Sequence, residues 1–404
     1  MPSELITLEG HIINSMSLSK TLDKIIELGG DFKLDEIELG KTNDDTSYTQ
    51  IQVSAKDQDS LDSILAAIGK LGAVVKEKDE IHWKKAPKNG VFPDDFYSTT
   101  NLETQVWYHN KWIPVQNIEM DCGVIFDPVK LKAYCRPLFN IKKGDRVIVG
   151  HEGVRVIPLL SGSQHGEVFS FMNSSVSSEK PKHLLISEIA HNIKNARKQG
   201  KNIMFVGGPA VIHTGAGVYV SKLIEKGFIQ VLLAGNGFAT HDIESNLFGT
   251  SLGIHLDKGT PVHGGHRNHL RAINTIRQAG SIHKAVEKGI LNGGIMYSCV
   301  KNNVPYVLTG SIRDDGPLPD VITDSMVGQD KIRHWSQKVD ICLIVASTLH
   351  AIATGNCLPA RVYTICVDIN PAVVTKLSDR GSAQSIGMVT DSESFLRELV
   401  RALN

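Results

Sequence analysis

The pattern of apolar and polar residues changes twice along the 404-residue chain and divides it into three parts. Residues 1–78 follow the order strand, amphipathic helix, two strands, amphipathic helix, strand. This βαββαβ order predicts a ferredoxin-like α+β domain. Residues 79–165 contain short polar–apolar alternations between frequent turn residues, which predicts a small β-barrel-like module. In residues 182–404 apolar strands alternate with helices, which predicts an α/β domain with a doubly wound parallel sheet.

The clearest pattern is a βαβ unit near the start of the third part. Its strands, Ile203–Val206 and Phe228–Ala234, are apolar throughout, as expected of parallel strands covered on both faces. Gly215–Gly227 is predicted to be the helix between them, with Thr214 as its N-cap. Val362–Val367 is predicted to be the last strand of the sheet. The unit lacks the G-x-G-x-x-G fingerprint of ordinary dinucleotide-binding domains.

Four loops should meet where the predicted parallel strands end: Gly235–Thr240, Thr309–Asp315, Ala346–His350 and Asp368–Asn370. In open α/β sheets, ligands bind in the crevice at the carboxyl ends of the strands. Glycines let a backbone approach a phosphate, and a helix N-terminus offers free N–H groups to an anion. An acid such as Asp368 can accept hydrogen bonds from a ribose diol. The alternative is that these are tight turns whose Asn and Asp residues serve turn geometry alone.

The segment HGGHRNH at residues 263–269 is a second candidate site. Its three histidines could ligate a metal, but two glycines interrupt any helix that would align them, and no H-E-x-x-H is present. A polar loop that holds a substrate is therefore favoured over a metal site, because Arg267 can bind a carboxylate through two hydrogen bonds. A solvated helix N-terminus stays open as the alternative.

The third candidate is the run Arg313-Asp314-Asp315. Repulsion between neighbouring carboxylates, together with burial, can raise one pKa and suit that group to general acid–base catalysis. The alternative is a surface cluster of one arginine and two aspartates.

Composition argues against several classes of partner. The chain has 43 Lys+Arg and 43 Asp+Glu residues, so no net positive charge favours nucleic acid or anionic lipid. No apolar run approaches the ~20 residues of a membrane span, and the N-terminal residues lack the pattern of a signal peptide. The six cysteines are scattered without a C-x-x-C pair, which indicates a reducing compartment and no structural zinc. We expect a cytoplasmic protein without a membrane or nucleic-acid partner.

Long segments of the chain resemble one enzyme family. They include FYSTTNLETQVWYHNKWIPVQNIEMDCGV, CRPLFNIKKGDRVIVGHEGVRVIPL, LLAGNGFATHDIES and GGHRNHLRAIN. The family takes its name from a region of bifunctional lysine-oxoglutarate reductase/saccharopine dehydrogenases, and archaeal-type ornithine cyclodeaminases belong to it. A similar region forms the C-terminal half of the bifunctional arginine dihydrolase/ornithine cyclodeaminase. The resemblance implies a C-terminal NAD-binding fold like that of deoxyhypusine synthase, which would explain the missing fingerprint.

The resemblance further implies an ammonia-lyase that uses NAD. It would convert L-ornithine to L-proline and ammonia by hydride removal, cyclisation and hydride return. Separately, we expect a homo-oligomer. Two alternatives stay open, namely an NAD-dependent dehydrogenase of saccharopine or lysine type and an amino-acid/NAD sensor without catalysis.

Individual roles follow from the resemblance and from residue type. NAD binding is assigned to ten residues of the four loops: Asn236, Gly237, Phe238, Ala239, Gly310, Ser311, Ala346, Ser347, Asp368 and Asn370. Arg267 and Asn268 are assigned to the substrate carboxylate. Proton transfer is assigned to Asp314 or His266 on residue type and position alone.

Overall fold

The structure is a computed structural model that describes residues 2–10, 17–40, 47–69, 71–75, 80–157, 182–251, 254–255, 267–314, 316–379 and 385–404. The chain forms two compact units. The first contains Met1–Asn173 and Pro359–Arg361, and the second contains Ser174–Leu358 and Val362–Asn404. In the part of the chain that the structure describes, no helix is long and apolar enough to cross a bilayer.

The first unit begins with a four-stranded antiparallel sheet and two helices. The elements are β1 (Ser3–Gly10), α1 (Ser17–Glu27), β2 (Asp31–Glu38), β3 (Ser47–Ser54), α2 (Gln58–Gly69) and β4 (Val74–Val75). The strand order β2-β3-β1-β4 places each helix-linked pair of strands one strand apart, which is the split βαβ arrangement. Ile25 and Ile64 of the helices pack against Ile6, Leu8 and Ile51 of the strands. The predicted ferredoxin-like fold is confirmed.

The rest of the first unit is a seven-stranded sheet in the order β11-β6-β7-β9-β8-β10-β5. Its strands are β5 (His82–Lys85), β6 (Thr104–Tyr108), β7 (Lys111–Gln116), β8 (Gly123–Asp127), β9 (Lys132–Arg136), β10 (Arg146–Val149) and β11 (Val154–Val156). The Ile81 N–H, just before β5, donates to the Trp107 carbonyl of β6 at 3.1 Å, so the sheet curls around one core. The predicted β module is present. Because the compact units divide the chain differently, the boundaries 1–78, 79–165 and 182–404 stay predictions.

The second unit is built on a parallel sheet in the order β17-β16-β13-β12-β18-β19-β20. The strands are β12 (Ile203–Gly207), β13 (Val231–Gly235), β16 (Tyr306–Thr309), β17 (Val321–Ile322), β18 (Ile341–Val345), β19 (Tyr363–Asp368) and β20 (Ser385–Val389); β14 (Thr250–Ser251) pairs with β15 (Ile254–His255) outside it. Every residue of β12 and β18 is buried, because helices cover both faces. The prediction of a doubly wound parallel sheet is confirmed.

The helices of the second unit connect these strands. They are α3 (Lys182–Lys198), α4 (Ala210–His213), α5 (Gly217–Glu225), α6 (Asn236–Phe248), α7 (Asn268–Ala279), α8 (Ile282–Glu287), α9 (Ile295–Lys301), α10 (Ser325–Ser336), α11 (Leu349–Cys357), α12 (Pro371–Asp379) and α13 (Ser392–Leu403). The strand order reverses between β12 and β18, so the loops that follow these strands diverge there. Such a reversal opens the crevice in which doubly wound sheets bind ligands.

Two local predictions are wrong. Val362–Val367 does not form the last strand, because β20 pairs in parallel with β19. Ser385 and Gly387 interrupt the apolar pattern of the β20 sequence SIGMV, so this pattern does not predict a strand. Thr214 does not cap the next helix. Its hydroxyl donates to the Ala210 carbonyl at 2.9 Å and so ends α4, and α5 begins only after Gly215, whose φ is +76°.

Candidate functional site

The loops after β12, β18 and β19 are joined through their backbones at the reversal of the sheet. The Gly208 N–H donates to the Val345 carbonyl at 3.0 Å, and the Ala346 N–H donates to the Val367 carbonyl at 2.8 Å. Ala346 has φ +52°, the left-handed region that a residue with a Cβ rarely adopts. A Cβ atom at position 208 would lie 1.7 Å from the Ala346 carbonyl oxygen. Only glycine fits there, and the two loops touch backbone to backbone.

The loop after β13 passes directly into α6. The side chains of the predicted loop residues pack inside the protein. Asn236 is buried, and its Oδ1 accepts from the Leu318 N–H at 3.0 Å and from the Thr240 hydroxyl at 3.3 Å. Phe238 and Ala239 are fully buried. These side chains position the start of α6. What α6 offers to a ligand is therefore its backbone N-terminus, beside Gly237.

His350 links three of the four predicted loops. Its Nε2 lies 2.6 Å from the Thr309 hydroxyl at the end of β16. Its ring lies against Gly235 at the end of β13, where a Cβ atom would approach to 2.7 Å. Burial lowers the pKa of His350, and the nearby Asp314 carboxylate opposes this effect. His350 therefore holds the loops after β13, β16 and β18 together as a neutral ring.

Asp314 closes the turn after β16. Its Oδ2 accepts from the Ser311 N–H at 2.8 Å, and its Oδ1 lies 3.4 Å from the Ser311 hydroxyl. The same carboxylate lies 3.3 Å from the position that a Cβ atom on Gly310 would take. The structure thus brings Gly310, Ser311 and Asp314 together, whereas Asp315 lies outside the described residues.

Asp368 and Asn370 each hydrogen-bond to the backbone two residues ahead. Asp368 Oδ1 accepts from the Asn370 N–H at 2.8 Å, and Asn370 Oδ1 accepts from the Ala372 N–H at 3.0 Å at the start of α12. Turn geometry therefore accounts for one oxygen of Asp368. Its other oxygen has no hydrogen-bond partner among the residues that the structure describes. Ser347, on the neighbouring loop, is buried.

A group of histidines lies among the helices that follow β12, β13 and β15, and of its members sequence reasoning singled out only His269, as part of the HGGHRNH segment. We call His213, His241, His269 and Glu244 the histidine cluster. The rings of His213 and His241 are 4.8 Å apart, and those of His241 and His269 are 6.4 Å apart. His241 Nδ1 is 2.8 Å from Oε2 of Glu244, whose side chain is completely buried. His213 Nδ1 is 2.7 Å from the Ser251 hydroxyl.

The cluster continues through hydrogen bonds to the start of α7. The Thr250 hydroxyl donates to Glu244 Oε1 at 2.9 Å and accepts from Asn268 Nδ2 at 2.9 Å. Asn268 Oδ1 accepts from Arg271 at 3.1 Å, and the Arg271 guanidinium lies 4.3 Å from the centre of the Phe248 ring.

The structure changes what is expected of the HGGHRNH segment. The amide of Asn268 is buried and hydrogen-bonded to Thr250 and Arg271, which suits it to positioning these two side chains. Its contact with a substrate carboxylate stays a prediction. Arg267 is exposed beside it. His263 and His266 lie outside the described residues.

Helix α6 carries a sequence signal that could have revealed the cluster. Asn236, Thr240, Asp242 and Glu244 are all buried within this one helix. Asp242 accepts from the Ile295 and Met296 N–H groups at 2.9 and 2.8 Å and so caps α9, and burial raises its pKa to about 6. Buried polar residues are costly unless they are paired. In the described residues no group of three or more His, Cys, Asp or Glu side chains is placed to hold a metal ion.

Three family profiles together match almost the whole chain. "LOR/SDH bifunctional enzyme conserved region" matches residues 3–102. "Arginine dihydrolase ArgZ-like, C-terminal, first region" matches residues 103–186. "Arginine dihydrolase ArgZ-like, C-terminal, Rossmann fold" matches residues 187–399, which include the candidate site.

Individual relatives agree with these profiles. The chain is 51% identical over 403 residues to an ornithine cyclodeaminase of Methanothermobacter thermautotrophicus, covering 100% of this chain and 98% of the relative. It is 43% identical over 408 residues to the bifunctional arginine dihydrolase/ornithine cyclodeaminase AgrE of Nostoc sp., covering 100% of this chain and 58% of AgrE. The chain thus spans nearly all of the archaeal relative and less than two thirds of the bifunctional one.

Solved structures of the bifunctional enzymes resemble the chain along its whole length. The apo crystal structure of ArgZ, a cyanobacterial arginine dihydrolase, has a TM-score of 0.86 and 39% identity, covering 100% of this chain and 58% of ArgZ. The crystal structure of AgrE in a ternary complex with ornithine and NAD⁺ has a TM-score of 0.54 and 42% identity, covering 100% of this chain and 57% of AgrE.

The contact between Gly208 and Ala346 predicts a sharp response to substitution. Gly208→Ala should lower the free energy of unfolding by about 1–3 kcal/mol, because a methyl group must displace a backbone carbonyl. Gly217→Ala is the matched control, since a Cβ atom there would meet Ile212 and Ile295 only at ordinary distances of 3.6–3.7 Å. Denaturant unfolding measures both variants. Equal stability of the two would contradict the contact.

His213 predicts a pH dependence of stability. Burial, followed by the neighbouring His241, lowers the pKa of His213 from 6.5 to about 4, and Glu244 opposes the shift. As the pH falls below 6.5 the unfolded chain gains a proton that the folded chain does not, so stability is lost. The drop in melting temperature between pH 7 and pH 5 should be smaller in His213→Gln than in the unsubstituted protein. His283→Gln, at an exposed histidine, should leave the drop unchanged; equal drops in all three proteins would refute the shift.

Proposed function

We propose, from the fact that this chain belongs to the family of the archaeal-type ornithine cyclodeaminases, that it converts L-ornithine to L-proline and ammonia with NAD. The observation that carries the proposal is the whole-chain likeness to AgrE, whose crystal structure holds ornithine and NAD⁺ together. The 51% identity to an archaeal ornithine cyclodeaminase along 98% of that relative supports the same activity.

The residues at the sheet reversal fit a dinucleotide. Gly208 and Ala346 bring two backbones into contact, so backbone groups line this part of the edge. The first N–H groups of α6 supply donors for an anion. The carboxylate oxygen of Asp368 that faces no described partner suits a ribose diol. We propose that these groups hold NAD, with Gly237, Gly310, Ser311, Ser347 and Asn370 lining the same edge and Asn236, Phe238 and Ala239 positioning α6.

When bound, NAD would supply the acceptor for the α-hydride of ornithine and, in its reduced form, the donor that returns this hydride to the ring. The chain's own residues must bind the substrate, move protons and exclude water. We propose that Arg267, exposed at the start of α7, binds the substrate carboxylate together with Asn268. Asp314 or His266 is proposed to take the proton that the α-amino group loses. Asp314 is supported by its position beside Gly310 at the end of β16.

Further properties are proposed on general grounds. The product places the enzyme in proline biosynthesis and arginine metabolism. All six cysteines are buried and free, which supports a reducing compartment such as the cytoplasm. Exposed apolar side chains at three strand-end loops, Ile312, Leu349 and Ile369, support a homo-oligomer. Sedimentation of the purified protein tests the assembly.

Isotope labelling tests the reaction directly. Ornithine with deuterium at its α-carbon should yield proline that keeps the label in ordinary water, because the hydride that leaves the substrate returns to the product. Mass spectrometry of the proline measures retention. Unlabelled ornithine in heavy water is the control and should give proline without α-deuterium. A net dehydrogenase would accumulate reduced NAD without proline, and a sensor would form no product.

Asp368→Ala tests the ribose contact. The variant should bind NAD⁺ at least tenfold more weakly and ornithine with little change, measured by calorimetry. Asp324→Ala is the matched control, because Asp324 follows the edge strand β17 and also accepts from the N–H two residues ahead. Both variants lose a side-chain hydrogen bond to the backbone N–H two residues ahead, but only Asp368→Ala should lose NAD⁺ affinity. Equal affinities in the two variants would place the ribose elsewhere.

A further inference from the structure

We propose that the His241–Glu244 pair, with His213 beside it, is the proton-transfer centre for ring closure. The pair would take a proton from the terminal ammonium group of ornithine and deliver one to the amino group that leaves. This assignment rests on the proposed function and adds to it, because Asp314 and His266 are proposed only for the α-amino proton.

The position of the cluster in the sheet supports this role. His213 ends α4, which follows β12, and His241 lies in the second turn of α6, which follows β13. Strands β12 and β13 are neighbours in the sheet. Both imidazoles therefore lie on segments that leave the carboxyl edge, next to the loops proposed to hold NAD.

Glu244 gives His241 the properties of a base. In its ionised form the Glu244 carboxylate accepts a hydrogen bond from His241 Nδ1, and His241 Nε2 is then left to receive another proton. A carboxylate on Nδ1 also stabilises the imidazolium that forms. The Thr250 hydroxyl binds the other oxygen of Glu244 and fixes its orientation. The side chain of His241 stays 12% exposed while that of Glu244 is fully hidden, so the imidazole is the member of the pair that solvent reaches.

His213 suits the place beside this base because its ring is neutral. The groups that face it are His241 and Glu244 from α6 and Ser251 from β14, and the ring of His269 from α7 lies 6.4 Å from that of His241. A neutral ring does not repel an approaching ammonium group. Its bond to Ser251 fixes one ring nitrogen and leaves the other for a hydrogen bond to substrate.

Protons and electrons balance in the proposed ring-closure step. His241 Nε2 takes one proton from the terminal ammonium, and the freed lone pair forms a bond to the α-carbon of the substrate imine. The imine π pair moves to its nitrogen. That nitrogen takes the proton that His241 holds, so the imidazole is neutral again. The ring nitrogen then loses a proton to His241, which passes it to the α-nitrogen. Ammonia leaves with the bonding pair as the ring nitrogen forms the cyclic C=N bond.

The test compares His241→Gln, Glu244→Gln and His283→Gln. The control His283 pairs with Glu287 at 3.4 Å on α8, where both side chains are exposed. His241→Gln should lower kcat about 10²-fold or more, the usual contribution of a general base, with dissociation constants for NAD⁺ and ornithine changed less than threefold. The isotope effect of α-deuterium on kcat should fall towards one, because ring closure becomes slow. Glu244→Gln should move kcat and the isotope effect in the same direction, and His283→Gln should change neither.

A second measurement does not depend on turnover. Ring-nitrogen NMR of the unsubstituted protein with NAD⁺ should show the His213 and His241 signals shifting when ornithine is added, while the His283 signal stays in place. Unchanged His213 and His241 signals, or full kcat in a folded His241→Gln, would overturn the assignment. If His241→Gln lost NAD⁺ affinity in parallel with kcat, the role of His241 would be structural, and the assignment would also be overturned. Failure of the unsubstituted protein to form proline would instead overturn the proposed function on which it rests.

Discussion

The close contact of Gly208 with the Ala346 carbonyl is the constraint on which the second unit depends. Two neighbouring strands, β12 and β18, lead their chains to opposite sides of the sheet, so their loops separate unless something joins them. The backbone bond from Gly208 to Val345 and the left-handed conformation of Ala346 join them. Left-handed backbone at a residue other than glycine persists only where its surroundings enforce it. The backbone hydrogen bonds to β18 and β19 hold Ala346 in this conformation. They leave a surface lined by backbone atoms at the centre of the sheet.

Helix α6 adds the second constraint, which is electrostatic. It carries two buried carboxylates that point to different partners: Asp242 caps the start of α9, and Glu244 binds His241 and Thr250. A buried carboxylate without partners is very unfavourable. These hydrogen bonds therefore fix α9, β14 and the first residue of α7 relative to α6. The polar groups that suit the site to acid–base chemistry also determine how the helices above the sheet pack.

Sequence pattern predicted the fold class but not the cluster, for a physical reason. The parallel sheet could be predicted because β12, β13, β18 and β19 are continuous apolar runs bounded by small residues. The short strand β17 and the glycine-containing β20 carry too little periodicity to be recognised. The loops that we propose to bind the cofactor could be predicted because each follows its strand directly. His213 and His241 are 28 positions apart, and only the pairing of β12 with β13 brings them together. No local spacing encodes that contact.

The same reasoning accounts for the separation that we propose between nucleotide binding and proton transfer in this unit. Groups that suit a dinucleotide are backbone and turn groups, such as the first N–H groups of α6 and Asp368 with its turn, and each is positioned by its own strand end. The proposed proton-transfer centre instead needs a buried carboxylate, which requires partners from α6, β14 and α7 together. A reactive imine must close its ring before water reaches it, so the base has to be in place before the substrate reacts. Packing among three elements provides such a fixed base, whereas a single exposed turn does not. Residues proposed for the nucleotide edge are therefore the ones that sequence pattern can find, whereas the meeting of His213 with the His241–Glu244 pair is revealed only by the tertiary structure.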